Sequence, residues 1–208
     1  PVIPNNDEPC TAIALATDGS VNVFNTVGAS AAAGEDAITP EAATNGVTTS
    51  CNGTDGWCGG DLNIDNSVWF TFEATAEAML ITTCNEGNTY DTQVAVYAAT
   101  DCTDFSTLTF VAGNDDTPED CGNGESVFAS ILDFCGYTVG QTYWILVDGY
   151  QGEEGEVAIS VEESVCAPAR LQVIHNSAED VAEVVDVYLN GDLLIDDFTF
   201  RTASPFID

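Results

Sequence analysis

An all-β fold is what this sequence predicts: a jelly-roll-like β-sandwich with a short incomplete C-terminal β unit. Three observations carry the prediction. Apolar residues alternate with polar ones over short runs, Gly-, Asn- and Asp-rich clusters separate those runs, and eight cysteines sit in or beside the clusters. Alternation with period two places successive side chains on opposite faces of a pleated strand. Regularly spaced short strands joined by such turns are the pattern of a sandwich or jelly roll.

In chain order, the alternating runs are residues 67–72, 78–83, 92–97, 107–111, 126–132, 141–147 and 157–161. Between them lie clusters at 85–88, 113–116 and 149–152, where Gly and Asn accept positive φ and Asp bonds its own backbone. Residues 30–60, rich in Ala, Thr, Gly and Asn, alternate weakly and read as a long surface excursion, with a short helix around 31–33 as one option. A boundary near Cys166 divides residues 1–165 from 166–208. Beyond it, 170–175 reads as a strand, and 185–189 with 192–195 as a hairpin turning at Asn190-Gly191. Three or four strands are too few to cover both faces of a sandwich. The segment 166–208 is therefore expected to lean on the first domain, to pair with another chain, or to be part of something longer.

Composition narrows the class. The 208 residues include two basic side chains, Arg170 and Arg201, against 35 acidic ones, for a net charge of −33. Such a field repels nucleic acid and anionic lipid and attracts cations and basic surfaces. It fits either a surface suited to a saline medium or carboxylates that hold Ca²⁺. With 45% hydrophobic residues the chain can still bury a core. No apolar run approaches the ~20 residues of a membrane-spanning helix. A start at Pro1, without methionine or signal peptide, is expected of a processed, exported chain.

Zinc sites pair closely spaced cysteines or histidines. Here the tightest spacing is Cys51 to Cys58, and the single histidine is His175. Disulfides, and hence an oxidising extracellular or cell-surface location, are the expected use of the cysteines. Eight cysteines allow 105 pairings. A Cys51–Cys58 loop is expected, with Cys84–Cys102, Cys121–Cys135 and Cys10–Cys166 as further candidates.

Several segments carry a family resemblance. They are Asn6-Asp7-Glu8-Pro9-Cys10-Thr11-Ala12-Ile13, Val68-Trp69-Phe70-Thr71-Phe72, Tyr90-Asp91-Thr92-Gln93-Val94-Ala95-Val96-Tyr97, Asn114-Asp115-Asp116, and residues 140–150. Together they resemble the bacterial pre-peptidase C-terminal domain and its relatives in secreted proteins of the Bacteroidota. The resemblance covers most of residues 5–162. It implies a jelly-roll-like sandwich, an accessory role beside other modules, and in some members bound calcium, with Asp91 near the 114–116 turn. Residues 169–177, 185–191 and 200–206 resemble the start of a second surface-domain family of uncharacterised function.

Calcium needs several carboxylate, amide and carbonyl oxygens on a tight loop. Three places offer them: Asp61-Leu62-Asn63-Ile64-Asp65, with oxygens at alternate positions; Asn114-Asp115-Asp116 with Asp91; and Asp7-Glu8. A triad would need a base between nucleophile and acid. His175 has only Ser177 nearby and no G-x-S-x-G elbow exists, so no catalytic residue is expected. Asn52-Gly53-Thr54 is a formal glycosylation sequon. Trp57 is expected either to stack on a sugar or, more readily, to pack on the neighbouring cysteine bridge.

The functional expectation is a non-catalytic extracellular structural subunit that self-assembles by β-strand complementation into a filament or surface layer, with calcium as a possible cofactor. The arm at residues 1–4 is a candidate donor strand. The alternative is an accessory module that binds carbohydrate or a cell surface within a larger secreted protein.

Overall fold

The computed structural model describes residues 2–44, 53–117, 121, 128–166, 171–177, 179, 182–189 and 191–206. The chain divides into two units, Pro1–Cys166 and Ala167–Asp208.

In the first unit the strands are β1 (Ile13–Ala14), β2 (Asn22–Asn25), β3 (Val68–Glu73), β4 (Ala78–Thr82), β5 (Thr92–Ala98), β6 (Thr109–Asn114), β7 (Ile131–Cys135), β8 (Thr142–Gly149) and β9 (Glu156–Glu163). They form a five-stranded sheet, β1-β3-β8-β5-β6, and a four-stranded sheet, β2-β9-β4-β7. Every pair is antiparallel except β1 on β3. With β1 set aside, β3-β8-β5-β6 and β2-β9-β4-β7 make the two four-stranded sheets of a jelly roll. Most links therefore cross from one sheet to the other.

The alternation fixes which side chains meet between the sheets. Phe70, Phe72, Val94, Val96, Ile145 and Val147 from one sheet pack with Met79, Ile81, Leu132, Val157, Ile159 and Val161 from the other. The opposite face of the five-stranded sheet is also covered. Trp69, Ala95, Tyr97 and Leu146 project there and are buried with Ile38, Trp57, Ile64 and Leu108. Ile38 and Trp57 of the excursion thus help to roof a second hydrophobic core. Trp57 is fully buried, and its indole Nε1 donates to the Val94 carbonyl at 3.0 Å. An exposed, sugar-stacking Trp57 is excluded by that burial. The short helix expected at 31–33 is instead a 3₁₀ turn at Glu35–Ile38.

Among the described residues three disulfides are seen: Cys10–Cys102, Cys84–Cys121 and Cys135–Cys166. The expected Cys84–Cys102, Cys121–Cys135 and Cys10–Cys166 pairs are corrected. The reason is the winding. Cys135 ends β7, which pairs with the start of β4 (Ala78 opposite Cys135), and the chain leaving β9 reaches the same end through the Ser164 N–H on Ala78 O. Cys166 therefore meets Cys135 across β4, not its neighbour in the chain. Cys58 is also disulfide-bonded; the expected Cys51 partner and the Asn52 sequon lie outside the described residues.

Two sequence runs shift. The strand expected at 126–132 begins at Ile131, and that expected at 107–111 begins at Thr109 after a 3₁₀ turn at Phe105–Thr107. The arm's Val2 and Ile3 are 88% and 60% exposed and join no sheet.

The second unit contains β10 (Val184–Leu189) and β11 (Asp192–Thr199), an antiparallel ribbon in which Val187 faces Ile195 and Val185 faces Phe198. The expected strand at 170–175 is reduced, among the described residues, to bridges such as Ile174–Ala203. His175 is buried; its Nε2 contacts the Ala182 carbonyl at 2.6 Å, and the Ser177 N–H lies 3.4 Å from its Nδ1. Both ring nitrogens are therefore engaged with backbone.

Candidate cation site

Antiparallel pairing brings three strand termini to one end of the five-stranded sheet. Thr92 faces Gly149, Gln93 faces Asp148 and Val94 faces Asn114. Asp91 therefore precedes β5 where Asp115 and Asp116 follow β6 and the 149–153 turn follows β8. A cleft of about 550 Å³ opens there, lined by Asp91, Asp115, Asp116, Glu153, Tyr150 and Phe128.

The local backbone holds these groups in place. Asn114 is buried; its Nδ2 donates to Gly53 O at 2.8 Å and its Oδ1 accepts from Ile131 N–H at 2.8 Å, which fixes the turn carrying Asp115. Asp115 Oδ2 accepts from Cys58 N–H at 2.7 Å and from the Gln93 amide at 3.0 Å. Glu153 accepts from Asp91 N–H at 3.1 Å. Gln151, in the left-handed region at φ 54°, donates its N–H to Asp61 Oδ2 at 2.5 Å. Asp61 thereby anchors the turn that delivers Glu153.

Electrostatically the cleft is a cage of like charges. Burial, then repulsion from Asp115, Asp116 and Glu153, pushes the Asp91 carboxyl up to about 8. Asp116 rises to about 6, through burial and then Asp115, and Asp115 is raised by burial. Asp148 rises to about 6 through burial, although the Asp65 and Asn66 N–H groups donate to it at 2.8 Å each. Carboxylate oxygens of Asp115 and Asp116 and the Cys58 sulfur lie within 4.8 Å of one another. That sulfur belongs to a disulfide and is no thiolate ligand.

The sequence-derived candidates separate accordingly. Asp91, Asp115 and Asp116 converge. Asn114 supports their turn with its side chain engaged by backbone. Asp61, Asn63 and Asp65 do not form a ligand loop: Asp61 Oδ1 accepts from Asn63 N–H at 3.1 Å and from its Nδ2 at 2.9 Å, and both Asn63 and Asp65 are exposed. Asp7 accepts from Ser30 N–H at 2.8 Å and Oγ at 3.1 Å, and Glu8 is exposed. Sequence reading missed Gln93 and Glu153. Gln93 is the only polar residue in its run's outward-facing positions 93, 95 and 97 without an aromatic ring, and that was the one available signal.

Fold and site together define a disulfide-linked, all-β jelly-roll sandwich with an acidic cleft at one sheet end. No protein-family model, curated protein or solved structure matches the chain. The disulfides fit an oxidising, extracellular environment, and among the described residues no helix is long and apolar enough to cross a membrane.

Proposed function

We propose that this chain is a non-catalytic extracellular structural subunit, built on a pre-peptidase C-terminal-type sandwich, which self-associates by β-strand addition at its C-terminal ribbon. One observation carries the reading: among the described residues β10 and β11 pair only with each other. A ribbon of two strands is marginal alone, and free strand edges template pairing with another chain. The ribbon's apolar side chains support it, since Val184, Tyr188, Leu189 and Leu193 are each about half exposed (46%, 59%, 50% and 52%). Strand addition supplies backbone hydrogen bonds for affinity and side-chain contacts for specificity. With −33 per chain, association should strengthen as salt screens the repulsion.

Sedimentation velocity and electron microscopy of the purified chain, at low and high salt, test the proposal. The expected result is concentration-dependent oligomers or fibres, lost in Tyr188→Lys and Leu193→Lys while the sandwich melts unchanged. A chain that stays monomeric throughout would overturn it in favour of an accessory module that binds carbohydrate or a cell surface. Assembly equal in both variants would also overturn strand addition at the ribbon.

A further inference from the structure

We propose that the free edge of β2 accepts the ribbon of a second copy, so that β10 of one chain adds to β2 of the next. This rests on strand addition at the ribbon, as argued above, and supplies its counterpart on the sandwich.

β2 is the last strand of the four-stranded sheet and, among the described residues, pairs with β9 alone. A strand in that position presents unpaired N–H and C=O groups to whatever lies alongside, and native edges are ordinarily guarded by charge, proline or a bulge. β2 has none of these guards. Its four residues are uncharged, and its register with β9 runs without a shift. The surface around it is apolar, with Val21, Val23 and Val27 48%, 51% and 39% exposed. Phe24 points to the other face by period two and packs on Phe70, ring centroids 4.9 Å apart, which seats the strand from beneath. Beside the strand lies a groove of about 470 Å³, walled by Val2, Ile3, Pro4 and Asn5 of the arm and by Asn25 and Val27. Apolar side chains of an added strand would fill it.

Charge selects the occupant. Two copies carrying −33 each can meet closely only where few carboxylates face one another. No acidic residue precedes Asp7 or falls between Asp18 and Glu35, in a chain where 35 of 208 residues are acidic. The arm and β2 both belong to these uncharged stretches. Acids adjoin β2 toward its ends, Asp18 with Glu162 at one and Glu154 with Glu156 at the other. The other sheet edges differ. β1 is two residues long. β6 is already joined by Thr54, whose carbonyl accepts from the Gly113 N–H at 3.0 Å, and it runs into Asp115 and Asp116. β7 carries exposed Asp133 and ends at the Cys135–Cys166 disulfide.

On the ribbon the same criterion selects β10. Its one acid is Asp186, and Val184, Tyr188 and Leu189 are about half exposed. β11 holds Asp192, Asp196 and Asp197, the last in the left-handed region at φ 49°. Donor and acceptor are different surfaces, so the contact is head-to-tail and propagates from copy to copy instead of closing as a symmetric pair.

Mixing two variants of the full chain tests this, by sedimentation velocity in ~1 M NaCl, where the Debye length is about 3 Å. Val23→Asp should block the acceptor and Tyr188→Asp the donor, each raising the concentration needed for assembly at least tenfold. An equimolar mixture of the two should form a discrete dimer and nothing longer, because one intact β2 and one intact β10 remain. Thr109→Asp, at the exposed start of β6, adds the same charge elsewhere and should assemble like the parent chain. Thermal melting of the sandwich should be the same in all of them. If Val23→Asp assembles like the parent while Tyr188→Asp does not, the ribbon pairs with something other than β2; that overturns the acceptor and leaves the ribbon's role intact. A mixture that stays monomeric, or a Thr109→Asp block equal to that of Val23→Asp, would also overturn the acceptor. A parent chain that is monomeric throughout would overturn both proposals.

Discussion

Glu35 sits in the second core with no exposure, beneath the roof that covers the five-stranded sheet. Its carboxyl accepts from Ser67 Oγ at 2.7 Å and from Trp69 Nε1 at 2.8 Å, and no cation faces it. Burial is the main reason that its carboxyl rises from 4.5 to about 7, against the lowering effect of those donors. At about 1.4 kcal/mol per pH unit, that difference corresponds to about 3 kcal/mol. The sign follows from proton linkage. Between about pH 4.5 and 7 the folded state holds this proton more tightly than the unfolded chain, so stability falls as pH rises. The contribution is whole below about 4.5 and lost once pH passes about 7.

Glu35→Gln keeps the shape and both hydrogen-bonding positions and removes the titration. Urea denaturation at pH 8 with EDTA should find the variant more stable than the parent chain by about 3 kcal/mol. At pH 5 the gap should shrink to about 1 kcal/mol. Asp91, Asp116 and Asp148 titrate in the same direction, so the difference between the two proteins, not the parent curve, isolates Glu35. A gap that is absent at pH 8, or the same at both pH values, would refute the reasoning.

Three further outcomes are expected. Trp57→Ala should cost about 3–5 kcal/mol of unfolding free energy, and Trp57→Phe should cost about 1 kcal/mol through loss of the indole hydrogen bond to the Val94 carbonyl. Urea midpoints check both; a near-neutral Trp57→Ala would mean that the roof adds no core. A Cβ added at Gly149 would stand 1.9 Å from Glu153 O, so Gly149→Ala should lower stability by about 1–3 kcal/mol. Scanning calorimetry reads the effect, and an unchanged melting temperature would contradict the close approach. Replacing Cys10 and Cys102 together by Ala opens a link between residues 92 apart, for which chain entropy gives a loss of up to about 4–5 kcal/mol. A melting shift under about 2 °C would contradict that.

Strand identity was legible in the sequence wherever alternation was clean. Residues 67–72, 92–97 and 141–147 all became central strands because a half-buried pleat demands that pattern. β2, whose Asn22-Val23-Phe24-Asn25 is short and polar, was not legible; it is a strand only because β9 lies beside it. The acidic turn at 114–116 was also readable, whereas its link to Asp91 came only from the family resemblance. Spacing could not show that positions 91, 115 and 153 meet, since jelly-roll winding carries successive strands to different sheets and returns distant ends to one edge. The same winding decided the three disulfide pairs. Burial of Trp57 and Glu35 was equally a tertiary decision: neither lies in an alternating run, and each is inside only because the excursion folds back over the outer face of β3 and β5. Local periodicity is a property of a strand and is written in the chain. Which strand ends share a cleft depends on how the sheets close over a common core, and no short stretch of sequence contains that.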